Sequence, residues 1–255
     1  MGANAQNAIS LQGVGKQFAM GQAKPSLKTL ALNLVRGQWA TRRFWALQDI
    51  SLEVPQGQFL GVIGPNGSGK STLLSLIAGI LRPTVGQVHT QGRICTLLEL
   101  GAGFHPDLTG RDSIFLNAAI LGIPQRRIAA AIEAIIGFAE LEQFIDEPIR
   151  AYSSGMKMRL GFAIAVNVEA DILLVDEVLA VGDEQFQHKC YQKAAELHTQ
   201  GRTLVLVSHD LPVIEKFCQR AVWLDRGELR ADGDPGPVLR EYEASVPHAD
   251  ELGAK

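Results

Sequence analysis

Short, uniformly apolar runs that end in Gly, Ser, Asp or His alternate along this chain with longer segments whose apolar residues recur at helical spacing. That alternation predicts an α/β fold, a largely parallel sheet covered by helices. The clearest strands are residues 59–63, 172–175 and 203–207, each too uniformly apolar to leave one face in water. Polar residues gather at their carboxyl ends, the place where open α/β sheets bind ligands. Upstream, residues 9–18 and 46–54 read as strands of a smaller, antiparallel layer. The stretch between them, 19–45, is too long for a hairpin turn. Within it Leu27, Leu30, Ala31, Leu34 and Val35 recur at helical spacing after the start signals Pro25 and Ser26, and the pattern ends near Gly37. Lys24, Lys28, Arg36, Arg42 and Arg43 surround that stripe. A short basic amphipathic helix over 26–37 either docks on its own domain or faces a partner or membrane surface.

Composition narrows the class. With 255 residues the chain can bury one principal core. It is 46% hydrophobic and 20% charged with a formal net charge of -3, an ordinary globular balance from which no nucleic-acid affinity follows. The longest apolar runs fall far short of the roughly 20 residues of a membrane span. A membrane role would therefore come through a partner. Residues 1–9 show neither a basic leader nor an apolar stretch, which places the protein in the cytoplasm. Cys95, Cys190 and Cys218 stand far apart without CxxC spacing, so reduced, buried thiols are expected rather than a zinc site or a disulfide framework.

Four segments carry chemistry. Gly64-Pro-Asn-Gly-Ser-Gly-Lys70-Ser71 fits the pattern GxxxxGK[ST] between the strand 59–63 and a helical run over 72–78. Glycines let such a loop turn tightly and aim successive N–H groups at phosphate oxygens, and the helix start adds partial positive charge. Lys70 is suited to the β and γ phosphates and the Ser71 hydroxyl to magnesium. Ile172-Leu-Leu-Val-Asp176-Glu177 ends an apolar strand in two carboxylates, which calls for a cation nearby. Asp176 suits the magnesium and Glu177 can polarise the water that attacks the γ phosphorus. The same pair, taken alone, would also suit a solvated strand end or a helix cap. His209 follows the strand 203–207, a third carboxyl end converging on one crevice, where its imidazole could reach the γ phosphate. Ser153 or Ser154 can cap a helix over 157–168, either as a plain N-cap or as a second anion site, and one active site uses two such helix ends only if they come from different subunits.

These elements in this order resemble the ABC-transporter ATPase family. The resemblance covers nearly the whole chain: Walker A at 64–71, signature at 152–156, Walker B at 172–177 and switch histidine at His209. It implies a P-loop NTPase core with a helical, signature-bearing subdomain at about 100–168 and cofactors ATP and magnesium. Nucleotide contacts are implied for Gly64, Asn66, Gly67, Ser68, Gly69, Lys70, Ser71 and Thr72, with Ser153, Gly155 and the D-loop residue Asp183 acting across a dimer. Phe18 matches the aromatic that stacks on adenine, and Trp45 is the alternative. Two departures stand out: the usual LSGGQ reads Tyr152-Ser-Ser-Gly-Met156, and the usual Q-loop glutamine is Glu99, which would place a carboxylate rather than an amide beside the metal. Leu97-Leu-Glu-Leu-Gly-Ala-Gly-Phe104 together with Val-Asp-Glu-Val-Leu-Ala-Val-Gly-Asp183 is similar to the subfamily that exports O-antigen, capsule and teichoic-acid polysaccharides.

That subfamily implies a homodimer clamping two ATP molecules, peripheral on the cytoplasmic face of the inner membrane. Its closure drives a transmembrane permease subunit that carries a lipid-linked glycan. The extra helix over 26–37 would face that permease. An ATP-binding domain over 1–240, with 19–45 inserted, leaves a short polar tail over 241–255 and no room for the carbohydrate-binding domain of some subfamily members. Rival readings are an ABC ATPase for another substrate and a soluble ABC-type ATPase acting on ribosomes or DNA. The latter usually pairs two cassettes or carries long coiled coils. A non-enzymatic adaptor would have damaged catalytic residues, whereas Lys70, Asp176, Glu177 and His209 are all present.

Overall fold

The computed structural model describes residues 6–20, 42–96, 104–120, 123–167, 170–176 and 184–245. Two sheets and a helical lobe make up this part of the chain. A six-stranded sheet runs in the order β5-β6-β7-β3-β8-β9, built from β3 (Phe59–Ile63), β5 (Ile94–Thr96), β6 (Ile172–Asp176), β7 (Thr203–Val207), β8 (Arg220–Asp225) and β9 (Glu228–Gly233). All neighbours are parallel except β8 and β9, which form an antiparallel hairpin. The three strands legible as apolar runs sit side by side at its centre because both of their faces are covered.

Alternate residues of these strands feed different cores. Leu60, Val62, Leu174, Val205 and Val207 turn toward the antiparallel sheet and α1 (Lys70–Ile77). Phe59, Ile63, Leu173, Val175, Leu204 and Leu206 turn the other way, onto Phe162, Phe186 and Ile214 of α4 (Ser154–Asn167), α5 (Glu184–Thr199) and α6 (Leu211–Phe217). Each such Leu or Ile removed from water is worth about 1.5–3 kcal/mol. Double burial is what erases the polar alternation from the sequence.

The antiparallel layer is β2-β1-β4, from β1 (Asn7–Met20), β2 (Arg42–Pro55) and β4 (Val85–Thr90). Its strands outrun the expected 9–18 and 46–54 at both ends, and their register sets Phe18 opposite Phe44. The helix expected at 26–37 lies outside the described residues.

A separate lobe holds α2 (Gly110–Ile120), α3 (Gln125–Ala139), a 3-10 turn at Ile149–Ala151 and α4. In α3, Ile128, Ile132, Ile135, Ile136 and Ala139 are buried at helical spacing. They meet Ile114, Ile145, Tyr152 and Leu160 in a core of their own. The last described element, α7 (Pro235–Ser245), packs on β8. Cys95, Cys190 and Cys218 are buried free thiols, and burial pushes them up to about 11, about 12 and about 12. Among the described residues no helix is long and apolar enough to cross a membrane.

Candidate functional site

The loop after β3 is shaped by glycines that no other residue could replace without strain. Gly64 (φ 143°) and Gly69 (φ 110°) have backbones that L side chains rarely adopt. A Cβ on Gly64 would overlap the Leu224 carbonyl oxygen, and one on Gly69 would lie 2.6 Å from that of Ala46. The loop is thus pressed between β8 and β2. α1 starts directly from it: the Leu73 amide donates to the Gly69 carbonyl at 2.9 Å. Lys70, the first residue of α1, is buried, and its Nζ donates to the Gly64 carbonyl at 2.8 Å and to that of Pro65 at 3.0 Å. The ammonium is therefore already folded over the loop mouth.

Beside it, the Ser71 hydroxyl donates to Asp176 Oδ2 at 3.1 Å. This bond ties the helix after the phosphate loop to the end of β6, 105 residues away in the chain. β7 lies between β3 and β6 in the sheet, so His209, just past β7, follows the strand that separates the two.

The phosphate loop and Asp176 open onto a cavity of about 760 Å³ lined by Asn66, Gly67, Gly69, Lys70, Ser71, Thr72 and Asp176 together with Phe18, Phe44, Trp45, Ala46 and Arg226. Phe18 stacks on Phe44 with ring centroids 5.8 Å apart. A flat aromatic edge next to a phosphate-type loop suits a ligand with an aromatic base and a charged chain. Ser68 is buried, and among the described residues its hydroxyl has no hydrogen-bond partner.

The structure gathers Phe18, Asn66, Gly67, Gly69, Lys70, Ser71, Thr72 and Asp176 from the sequence expectations around this one cavity, while Gly64 and Ser68 belong to the same loop but do not line it. Both aromatic alternatives, Phe18 and Trp45, line it. His209 is exposed and does not line it, and Ser153 and Gly155 stand in the helical lobe, away from it. There Ser153 caps α4, its Oγ accepting from the Met156 amide at 3.2 Å. Just before it, Tyr152 is buried and donates its hydroxyl to the Phe144 carbonyl at 2.7 Å. Burial, with Asp146 and Glu147 nearby, pushes that phenol up to about 12. Glu99, Glu177 and Asp183 lie outside the described residues.

Sequence reasoning missed Phe44 and Arg226. Phe44 is found only through the β1–β2 register. Arg226 sits in an Asp-Arg-Gly turn between two strand-like runs, a hairpin signal available in the sequence.

Comparison with known proteins agrees with this geometry. Residues 47–180 match the ABC transporter family. The O-antigen export system ATP-binding protein of Myxococcus xanthus is 46% identical over 254 residues, covering 97% of this chain and 58% of that protein. Its counterpart in Klebsiella pneumoniae is 46% identical over 216 residues, 85% of this chain and 86% of that one. The teichoic acids export ATP-binding protein of Lactococcus lactis is 41% identical over 239 residues, 93% and 51%. The chain thus spans little more than half the length of the first and third. Among solved structures, an ATP-binding subunit of an ABC transporter superposes with a TM-score of 0.75 at 21% identity, covering 96% of this chain and 97% of that one. An ATP-binding cassette solved as a dimer with ADP and phosphate gives 0.73 at 23% identity, 89% and 98%. The two structures share the fold; the sequence matches carry the kinship: this chain belongs to the ABC transporter family.

Proposed function

We propose that the chain binds and hydrolyses ATP and, as a homodimer, drives a transmembrane permease that exports a lipid-linked polysaccharide from the cytoplasmic face of the inner membrane. The observation that carries the nucleotide reading is the meeting of Lys70, Ser71 and Asp176 in a cavity that Phe18, Phe44 and Trp45 also line. The relatives' O-antigen and teichoic acid export names support the polysaccharide part.

In this reading the base lies against Phe18 or Trp45, and the phosphates follow the amides of residues 64–72. Lys70 exchanges its two carbonyl partners for phosphate oxygens, a stronger charge-assisted contact. The Ser71 hydroxyl and the Asp176 carboxylate, both hard oxygen donors, fit magnesium, which when bound would offset phosphate charge; Glu99 would stand near it. Glu177 takes the proton of the attacking water as it bonds to the γ phosphorus and the bond to the β-phosphate oxygen breaks. His209 holds a γ oxygen, and Ser153, Gly155 and Asp183 of a second copy close the site from the other side.

The test uses two variants. Lys70→Ala should abolish ATP binding. Glu177→Gln should keep ATP bound, slow hydrolysis on the order of a hundredfold or more and elute as a dimer with ATP. In cells, Glu177→Gln should leave the polysaccharide undisplayed at the surface. Near-normal hydrolysis by Lys70→Ala, or surface display unaffected by Glu177→Gln, refutes the corresponding half of the proposal.

A further inference from the structure

We infer that Arg226, on the turn between β8 and β9, is a second cationic ligand of the nucleotide's phosphates; this rests on the nucleotide-binding reading above. Asp225 pairs with Glu228, which leaves Arg226 and Gly227 as a two-residue turn. Both have positive φ, 49° and 83°. Such turns favour Asn or Gly at the first position, and a long side chain there sits on a disfavoured backbone. The turn keeps this shape because it is clamped. The Gly227 amide donates to the Ser68 carbonyl at 2.9 Å, and the Gly227 carbonyl accepts from the Gln48 amide at 2.7 Å. A Cβ on Gly227 would lie 2.7 Å from the Ala46 carbonyl oxygen. The phosphate loop and β2 therefore grip the turn from two sides and aim residue 226 into the cavity that Lys70, Ser71 and Phe18 line.

The two other arginines of this hairpin are spoken for. Arg220 pairs with Asp232, and Arg230 with Asp225 and Glu228. Arg226 is exposed, and among the described residues its guanidinium has no ion pair or hydrogen bond. Of the charged side chains lining the cavity, Lys70 and Asp176 cancel formally. Without Arg226 a polyphosphate would meet no net positive side-chain charge there. Guanidinium offers donors only, in a fork that fits phosphate oxygens. A base edge is the competing acceptor, but an arginine reading bases prefers guanine O6 and N7 over the adenine edge, so that contact would sort nucleotides by base. A phosphate contact would not.

Binding of ATP and of GTP, each with magnesium, to the full chain is measured by calorimetry for wild type, Arg226→Asn, Arg226→Gln and Arg226→Lys. The expected result is a loss of about five- to tenfold for both nucleotides in the Asn and Gln variants and a smaller loss, about two- to threefold, in the Lys variant, which keeps the charge but not the fork. The deficit should shrink between about 0.05 M and about 0.5 M salt as the ionic contact is screened. Arg226→Asn should melt at or above the wild-type temperature, because Asn suits the turn, so weaker binding beside equal or better stability separates a ligand contact from a turn-forming role. Arg226→Gln keeps the same backbone strain as Arg and carries the affinity comparison whatever Asn does to melting. Unchanged affinity in Arg226→Gln overturns the inference, as does a loss confined to one base. If the wild type itself binds neither nucleotide, the nucleotide reading fails and not the role of Arg226 within it.

Discussion

Tyr152 stands where the family's signature usually has leucine, and its hydroxyl is the feature that leucine lacks. Removing it in Tyr152→Phe deletes the bond to the Phe144 carbonyl. That carbonyl also accepts from the Glu147 amide at 2.9 Å, so it is not stranded, and the cost should stay near the net value of one hydrogen bond, about 1 kcal/mol. For a chain of this size that is a melting shift of roughly 2–4 °C. The same hydroxyl is boxed in by Gly110, the first residue of α2. A Cβ on Gly110 would overlap the Tyr152 hydroxyl and lie 2.9 Å from the Ile145 carbonyl oxygen. Gly110→Ala should therefore cost about 1–3 kcal/mol as overpacking, offset by up to about 1 kcal/mol of helix propensity. Combining the two changes removes the worst overlap. The double variant should be more stable than the sum of the single effects by about 0.5–3 kcal/mol. Urea unfolding of the four proteins measures this. Additivity to within about 0.5 kcal/mol would refute the claim that the hydroxyl and Gly110 define one another's space. An alkaline series gives an independent check. The folded phenol titrates near 12, above its ordinary value near 10, so its contribution is complete below about pH 10 and is lost as pH rises through about 12. The stability gap between wild type and Tyr152→Phe should narrow over that window.

Two further outcomes are expected. Because burial raises the Cys95, Cys190 and Cys218 thiols to about 11–12, a maleimide at pH 8 should label none of them in the folded protein and all three in urea; rapid native labelling would contradict the packing around them. Replacing Leu27, Leu30 and Leu34 together by Ser should leave ATPase activity within a few-fold of wild type while glycan export falls sharply. A loss of soluble yield and melting temperature would instead place that stripe in the core, where three leucines are worth several kcal/mol.

What could be read from residues alone follows from how far each signal reaches along the chain. β3, β6 and β7 were legible because burial on both faces makes Phe59–Ile63, Ile172–Asp176 and Thr203–Val207 nearly all apolar, and the phosphate loop was legible because its glycines, Lys70 and Ser71 are contiguous. β4 was not, because it is an edge strand whose residues are almost all exposed and carry no pattern. Strand order was hidden as well. Nothing local says that β7 inserts between β3 and β6, since that adjacency is fixed by pairings such as Leu60 with Val205 and Leu174 with Val205. The bond from Ser71 to Asp176 could be guessed from motif chemistry, whereas Asp-Arg-Gly signals only a turn, and that the turn faces the cavity is fixed by backbone bonds from Gly227 to Ser68 and Gln48 that no local pattern announces.

The Gly227 clamp also bears on how this cavity can change over time. Both of its hydrogen bonds are made by main-chain atoms, so substitutions at Ser68, and any at Gln48 other than proline, leave the bonding groups in place, and the span between the aromatic wall and the phosphate loop is insulated from drift at either of those positions. The exceptions are positions 227 and 69, where a side chain would push on the Ala46 carbonyl, from the turn or from the phosphate loop itself, and so move the base-facing strand relative to that loop. Directed-evolution libraries that aim to lengthen or shorten this cavity would find their lever at those two glycines.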